Sequence, residues 1–209
     1  MEIKRIKAVV FDCDGVMFDT AQANRNFYNE ILQNFGKPVL TDKQFKQVHM
    51  YTVDSALKYL FSEQDNIDEV KKVIQDIGYD KFIKYMHMEQ GLLALLSRLK
   101  TNGYIRGVAT NRTNTMEKVL HDHNMQDKFE IVVTASDVES PKPAPDQLIK
   151  IMNHFNLKPD EIFFIGDSEY DQLAAANAGT YFAAFKNTSL KSDFHLNHMD
   201  QISEILGIN

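Results

Sequence analysis

Residues 8–20 read AVVFDCDGVMFDT, a short apolar run that ends abruptly in carboxylates. A bounded run of this length is consistent with a buried strand, and successive side chains of a strand point to opposite faces. Asp12 and Asp14 therefore share one face, and Cys13 points to the other. Two like charges so close together need a compensating cation in a buried cleft, which a hard divalent metal would supply. The alternative interpretation is a solvated Asp-Gly turn after the strand.

Three later apolar runs are also followed by polar groups of particular types. Ligands of open α/β sheets bind in the crevice outside the carboxyl ends of the strands. The polar groups that follow successive strands are therefore expected to meet in one place. In chain order they are Asp12 and Asp14, then Thr110, then Lys142, then Asp167.

The second run, in YIRGVATNRT, is followed by Thr110, Asn111 and Arg112. Asn114, with Glu117 three residues later, predicts the capped start of a helix. A hydroxyl group beside fresh helical N–H groups suits an anion. Asn111 could contact a phosphate through its amide, or it could be an ordinary loop residue. Arg112 could bind a substrate anion, although we expect it at the surface.

The third apolar run, IVVTA at 131–135, precedes a rigid loop, and the fourth, in IFFIGD, precedes a capped helix. Lys142 lies between two prolines, which stiffen the backbone and remove two N–H donors, and Pro145 is predicted to open a helix at its first position. After IFFIGD, Ser168 and Asp171 have the spacing of a capping box. The helix that they start is alanine-rich, and Gly179 is predicted to end it.

These four motifs, in this order, resemble those of the haloacid dehalogenase superfamily phosphatases with a helical cap inserted after the first motif. The resemblance covers essentially the whole chain. It implies that Asp12 is the nucleophile, forming an aspartyl-phosphate. It also implies that Asp14 is the general acid toward the leaving alcohol and then the base for water. Thr110, Lys142 and, as a further candidate, Asn111 would hold the phosphoryl oxygens.

The resemblance also implies a Mg²⁺ ion. Its ligands would be Asp12, the backbone carbonyl of Asp14, and Asp167, with waters completing the octahedron that this hard ion prefers. Asp171 would either support these ligands from behind or cap its helix with Ser168, and we favour the cap.

The fold class expected is α/β, a three-layer Rossmann-like parallel sheet with helices on both faces and an all-helical cap. No buried-strand run appears between Asp19 and Glu89, where the apolar spacing becomes helical. Residues 1–19 and 90–209 are therefore assigned to the catalytic core, and residues 20–89 to the cap, which would determine substrate specificity. Within the cap we predict a helix stop at Gly36, a capping box of Thr41 with Gln44, and helices over 53–61 and 67–86, the second broken at Gly78.

Composition excludes several other classes of protein. The 209 residues carry a net charge of −6, which argues against nucleic acid as the main partner. The single cysteine, Cys13, excludes a disulfide framework, is expected to be a small buried hydrophobe, and fits a cytoplasmic location. The start, MEIKRIKAVVFD, is predicted to be a first strand instead of a signal peptide. No segment approaches the roughly 18 apolar residues of a membrane span, and we expect a monomer or a weak homodimer.

The function expected is Mg²⁺-dependent hydrolysis of a small-molecule phosphate monoester, such as phosphoglycolate or a sugar phosphate. A β-phosphoglucomutase-like isomerase shares the four motifs and is the main alternative, and a non-catalytic phosphate-binding module is the other. A response-regulator receiver domain is disfavoured because it is shorter and lacks the cap. A dehalogenase is disfavoured because it lacks the second aspartate of the first motif, Asp14.

The C-terminal segment that contains His195 and His198 is interpreted as a polar tail.

Overall fold

A computed structural model describes residues 5–49, 51, 53–62 and 65–208. The chain divides into two compact units. One unit contains the described residues up to Asp19 and those from His87 onward, and the other is Thr20–Met86. The first unit is α/β and the second is helical. The assignment of residues 20–89 to a specificity cap stays a prediction.

The first unit is built on a parallel sheet of six strands. The strands of the chain are β1 (Ala8–Phe11), β2 (Phe18–Asp19), β3 (His87–Met88), β4 (Ile105–Ala109), β5 (Ile131–Val133), β6 (Ile162–Gly166), β7 (Tyr181–Phe185) and β8 (Phe194–Leu196). The sheet order is β5-β4-β1-β6-β7-β8, and every neighbouring pair is parallel. Strands β2 and β3 form a separate antiparallel pair. The predicted α/β fold class is confirmed.

The register of the central strands aligns their carboxyl ends. Phe11, the last residue of β1, is opposite Val108 of β4 and Ile165 of β6. The amide of Asp12 continues this pattern by donating to the carbonyl of Ile165, at 2.9 Å. The residues that follow β1, β4 and β6 therefore emerge at the same edge of the sheet, as expected for parallel strands.

Helices surround this sheet in the first unit and make up most of the second. Helices α7 (Asp146–Phe155) and α8 (Glu169–Ala178) bury apolar side chains against one sheet face, in a core cluster with alternate residues of β1 and β6. Strands β1 and β6 are buried throughout, as strands covered on both faces should be. The α-helices are α1 (Ala21–Asn34), α2 (Asp42–Val48), α3 (Val53–Leu60), α4 (Ile67–Ile77), α5 (Leu92–Thr101), α6 (Met116–Asp122), α7 (Asp146–Phe155), α8 (Glu169–Ala178) and α9 (Asp200–Leu206).

The helical unit confirms the predicted helix boundaries closely. Thr41 and Gln44 form the expected capping box at the start of α2. Helix α4 ends at Ile77, and Gly78 follows with φ of 63°, so the predicted break is confirmed. A short 3₁₀ helix, Asp80–Tyr85, then completes this unit.

Three local predictions in the α/β unit differ from the structure. Helix α6 begins at Met116, after Thr115, so Asn114 is not its cap. Pro145 immediately precedes α7 instead of opening it. The segment interpreted as a polar tail contains β8 and α9, because Leu196, Met199 and Ile202 are buried and fix it against the core, while His195 is exposed.

Among the residues that the structure describes, no helix combines the length and the apolar character needed to cross a membrane.

Candidate active site

Lys142 lies at the centre of the polar groups that gather at the carboxyl edge of the sheet. Its Nζ donates to Oδ1 of Asp12 at 2.6 Å, to Oδ1 of Asp171 at 2.6 Å and to the carbonyl of Ala109 at 2.9 Å. These bonds use all three ammonium protons, and the side chain is buried. Burial alone would lower the pKa of Lys142, but the charges of Asp12 and Asp171 outweigh it and raise that pKa. Lys142 is therefore a permanent cation beside the predicted nucleophile.

Asp171 serves both the helix and this lysine. Its Oδ2 accepts hydrogen bonds from the amide of Ser168 at 3.1 Å, the hydroxyl of Ser168 at 2.5 Å and the amide of Asp167 at 3.2 Å. The predicted capping box at the start of α8 is thus confirmed. Its other carboxylate oxygen reaches Lys142, a contact that the capping interpretation did not include. The carboxylate of Asp171 is fully engaged by protein donors.

Three carboxylates form a group that could hold a metal ion. One oxygen from each of Asp12, Asp167 and Asp171 lies within 4.8 Å of the others. Burial, opposed by Lys142, raises the pKa of Asp12 to about 7. Burial, together with the charges of Asp12 and Asp171, raises the pKa of Asp167 to about 8. In the described part of the chain, no hydrogen-bond donor contacts the carboxylate of Asp167. Clustered carboxylate oxygens with raised pKa values suit a hard divalent cation, which would compete with the protons for them.

The Asp167 carboxylate lies against Gly15, in the loop after β1. Gly15 has φ of +78°, and a Cβ placed on it would lie 1.9 Å from Oδ2 of Asp167. The Nδ2 of Asn187 donates to the backbone carbonyl of Asp167 at 2.8 Å. The position of Asp167 therefore depends on Gly15, which has no side chain, and on the side-chain amide of Asn187, which the sequence analysis did not identify as a site residue.

Thr110 is buried at the end of β4 and is held on two sides. Its carbonyl accepts a hydrogen bond of 2.7 Å from Nε2 of Gln147, which is fully buried in α7. Its hydroxyl accepts a hydrogen bond of 3.1 Å from the amide of Arg112. Sequence reasoning missed Gln147, since a single glutamine in a helix carries no motif.

Asn111 contacts the lysine loop. Its Nδ2 donates to the backbone carbonyl of Lys142 at 2.9 Å, and the residue is exposed. Its side chain therefore joins the loop after β4 to the loop that carries Lys142. A role in binding phosphate stays a prediction.

The surface position expected for Arg112 is wrong. Its side chain is only 8% exposed, and its guanidinium donates to both carboxylate oxygens of Asp14, with Nε 2.7 Å from Oδ2 and Nη2 2.7 Å from Oδ1. The loop after β4 turns this side chain inward, where its guanidinium makes a two-point contact with the partly exposed carboxylate of Asp14. Cys13, between the two aspartates, is fully buried as predicted, and burial raises the pKa of its thiol.

Comparison with known proteins agrees with this arrangement. Residues 9–185 match the haloacid dehalogenase-like hydrolase family, and the chain belongs to that family. The resemblance seen in the four motifs is confirmed, as is the prediction that the protein is an enzyme of this superfamily.

Individual relatives align over nearly the whole chain. The pyrophosphatase PpaX of Bacillus cereus is 27% identical over 97% of both chains. A superfamily hydrolase of subfamily IA from Geobacter sulfurreducens, whose crystal structure is known, is 38% identical over 97% of both chains, with a TM-score of 0.85. The β-phosphoglucomutase of Clostridium difficile is 21% identical over 97% of both chains, with a TM-score of 0.76, a likeness of fold alone.

Proposed function

We propose that the protein is a Mg²⁺-dependent phosphatase that hydrolyses a small-molecule phosphate monoester through an aspartyl-phosphate on Asp12. The observation that carries the proposal is the contact of 2.6 Å between Nζ of Lys142 and Oδ1 of Asp12. A buried carboxylate beside a permanent cation, at the ligand-binding edge of a parallel sheet, suits attack on a phosphoryl group whose charge must be neutralised.

The reaction divides into two displacements at phosphorus. In the first, a carboxylate oxygen of Asp12 bonds to phosphorus, the bond from phosphorus to the ester oxygen breaks, and Asp14 gives the departing alcohol its proton. In the second, water attacks phosphorus, Asp14 takes a proton from it, and the carboxylate of Asp12 is released with inorganic phosphate. Lys142 and the hydroxyl of Thr110 would stabilise the phosphoryl oxygens.

Asp12, the backbone carbonyl of Asp14, and Asp167 would hold the Mg²⁺. The ion would supply positive charge near the phosphoryl oxygens. The engaged carboxylate of Asp171 supports the site instead through Lys142 and the amide of Asp167. The donor set supports the proposal, because all of its ligand atoms are oxygens and Mg²⁺ is coordinated by oxygen atoms in proteins.

The proposed chemistry and the relatives support the chemical class of substrate that we propose, a small phosphate ester. Residues 20–89 would contact the leaving group and so select among small phosphate esters. Pyrophosphate is a second candidate, since the Bacillus cereus relative that aligns over 97% of the chain is named a pyrophosphatase. A cytoplasmic location is also proposed, because the single cysteine fits a reducing compartment.

The test is hydrolysis of a panel of phosphate monoesters and pyrophosphate by the purified protein, with Mg²⁺ or with excess chelator. Glucose 1-phosphate isomerisation is assayed in parallel. We expect release of inorganic phosphate only with Mg²⁺, and a hydroxylamine-sensitive covalent label on acid quenching with a radiolabelled substrate.

Asp12→Asn is expected to lose the label and essentially all turnover. Asp127→Asn is the matched control, because the Asp127 side chain is 77% exposed and contacts only Lys128 among the ion pairs of the described residues. Full turnover with chelator, or a normal rate in Asp12→Asn, would contradict the proposal. Isomerisation of glucose 1-phosphate that is faster than hydrolysis would favour the β-phosphoglucomutase-like isomerase.

A further inference from the structure

The contact between Arg112 and Asp14 gives the proposed acid–base residue a defined orientation. Two parallel hydrogen bonds of 2.7 Å join the planar guanidinium to the planar carboxylate. A two-point contact of this kind fixes the plane of the carboxylate as well as its position. A single ammonium group would fix only one oxygen.

Within the described part of the chain, Arg112 is itself held in place by at least three further hydrogen bonds. Its Nη1 donates to the hydroxyl of Thr115 at 3.2 Å, and its amide donates to the hydroxyl of Thr110 at 3.1 Å. Its carbonyl accepts from the amide of Ala135, at 2.9 Å, beyond the end of β5. The guanidinium is therefore a fixed support, and the Asp14 side chain, 36% exposed, is the partner open to solvent.

The pairing leaves Asp14 able to act on a substrate. A carboxylate has about four lone-pair sites, and Arg112 occupies one on each oxygen. The remaining sites face away from the guanidinium and can take part in proton transfer. Proton transfer needs an alignment of donor and acceptor that a freely rotating carboxylate would reach only part of the time.

We propose that Arg112 is a positioning residue that sets the orientation of the Asp14 carboxylate for proton transfer to the leaving-group oxygen. This inference rests on the proposed phosphatase function. It assigns a role to the residue that follows the predicted phosphate-binding pair Thr110 and Asn111. Arg112 would act through Asp14 and would not itself contact the phosphoryl group.

The experiment compares Arg112→Lys, which keeps the charge but loses the two-point contact, with Arg112→Gln as a second variant. The matched control is Arg106→Lys. Arg106 makes the same two-point contact with Glu130, and the exposed fractions, 3% and 37%, are close to those of Arg112 and Asp14. Folding is monitored by circular dichroism and thermal unfolding.

The readout is kcat/KM on an alkyl phosphate and on an aryl phosphate. The aryl phosphate is a nitrophenyl phosphate. The alkoxide that leaves from the alkyl ester needs a proton to depart, whereas the nitrophenolate that leaves from the aryl ester does not. We expect Arg112→Lys to lower kcat/KM by about 100-fold on the alkyl ester and by less than about tenfold on the aryl ester. Arg106→Lys should either lower kcat/KM on the two esters by the same factor or leave both values unchanged. Adding Arg112→Lys to Asp14→Asn should cause no further loss, since the positioned group is already absent.

Equal losses on the two esters, matching those of Arg106→Lys, would show a merely structural role and overturn the inference. A rise in turnover in Arg112→Gln would also overturn it, because Arg112 would then restrain Asp14. If the unmodified protein hydrolyses neither ester nor any compound of the panel, the proposed function itself has failed. An active unmodified protein with an unaffected Arg112→Lys refutes the positioning role alone.

Discussion

Gly15 lies so close to Asp167 that a single methyl group on it would overlap the carboxylate, since an added Cβ would be 1.9 Å from Oδ2. The contact joins the loop after β1 to the end of β6, the two strand ends that carry the candidate metal ligands. The positions of Asp167 and of the backbone carbonyls of the first motif depend on this close contact between Gly15 and Asp167. The glycine is required here for space as well as for its φ of +78°.

Gly15→Ala is therefore expected to displace Asp167 and lower kcat/KM by about 100-fold, as small misplacements of reacting groups do. The matched control is Gly103→Ala. Gly103 has φ of +77°, and an added Cβ there would meet no atom of the described residues within 4 Å. Both variants share the backbone strain of about 1–2 kcal/mol, measured by denaturant unfolding. Equal activity of the two variants would show that the close approach is unimportant.

Binding of Mg²⁺ is expected to strengthen as pH rises. The pKa of Asp12 is raised to about 7 and that of Asp167 to about 8, from an ordinary value of 3.8. The folded protein without metal keeps protons that the unfolded chain has already released, so this contribution to stability is present below the ordinary pKa and is lost as pH rises through 7 to 8. Mg²⁺ must displace these protons, and it does so more easily at high pH.

The measurement is the increase in Tm caused by excess Mg²⁺ at about pH 6 and about pH 9. We expect a clearly larger increase at the higher pH. Asp167→Asn removes one ligand and should remove most of the increase at both values. An increase that does not change with pH would contradict the assignment of Asp12 and Asp167 as metal ligands.

The gathering of the candidate site residues at one edge of the sheet was predictable from the sequence, because strand ends are a local property. Each of Asp12, Thr110 and Asp167 directly follows an apolar run, and parallel strands bring such residues to one edge. The capping box of Ser168 and Asp171 was predictable for the same reason, since both partners lie within one helical turn.

Contacts between distant parts of the chain were not predictable in this way. The second oxygen of Asp171 reaches Lys142, and Arg112 reaches Asp14, through tertiary packing that no local spacing encodes. Strand β8 and helix α9 were missed because their few buried residues are separated by polar ones. Short elements of this kind are stabilised by the core that they cover, and their own periodicity is too brief to detect.

The double role of Asp171 predicts a loss of stability much larger than that of a helix cap. Asp171→Ala removes the cap and one of the two carboxylates that hold the buried Lys142, and breaking a buried ion pair costs about 3–5 kcal/mol. Asp171→Asn keeps an acceptor for the amides of Asp167 and Ser168 and should cost less. The free energy of unfolding in urea measures both.

Asp137→Ala is the matched control for a cap without a buried ion pair. Asp137 accepts hydrogen bonds from the amide and hydroxyl of Thr134, at 2.8 and 2.7 Å, in a capping box of the same kind, and the lysine beside it, Lys150, is half-exposed and 3.8 Å away. Loss of the Asp137 side chain should cost about 0.5–2 kcal/mol. Similar losses in Asp137→Ala and Asp171→Ala would mean that the pairing with Lys142 contributes little to stability.

The helical unit offers a direct test of where specificity lies. Its described boundaries, Thr20 and Met86, are flanked by β2 and β3, which pair Phe18 with Met88 and Asp19 with His87. Replacing residues 20–86 by the corresponding segment of the Bacillus cereus pyrophosphatase would leave this pair, and all the candidate active-site residues, unchanged. The exchange therefore alters the proposed leaving-group contacts without altering the proposed chemistry.

We expect the chimera to keep its Mg²⁺-dependent thermal stabilisation while its order of preference on the phosphate panel moves toward that of the donor protein. The physical reason is that, in the proposed function, the four motifs would contact only the phosphoryl group and the metal, so differences between leaving groups would be sensed elsewhere. The control is a chain in which residues 20–86 are replaced by their own sequence through the same cloning junctions. A folded chimera with an unchanged order of preference would contradict the cap assignment and place specificity in the loops of the core, beginning with Asn111.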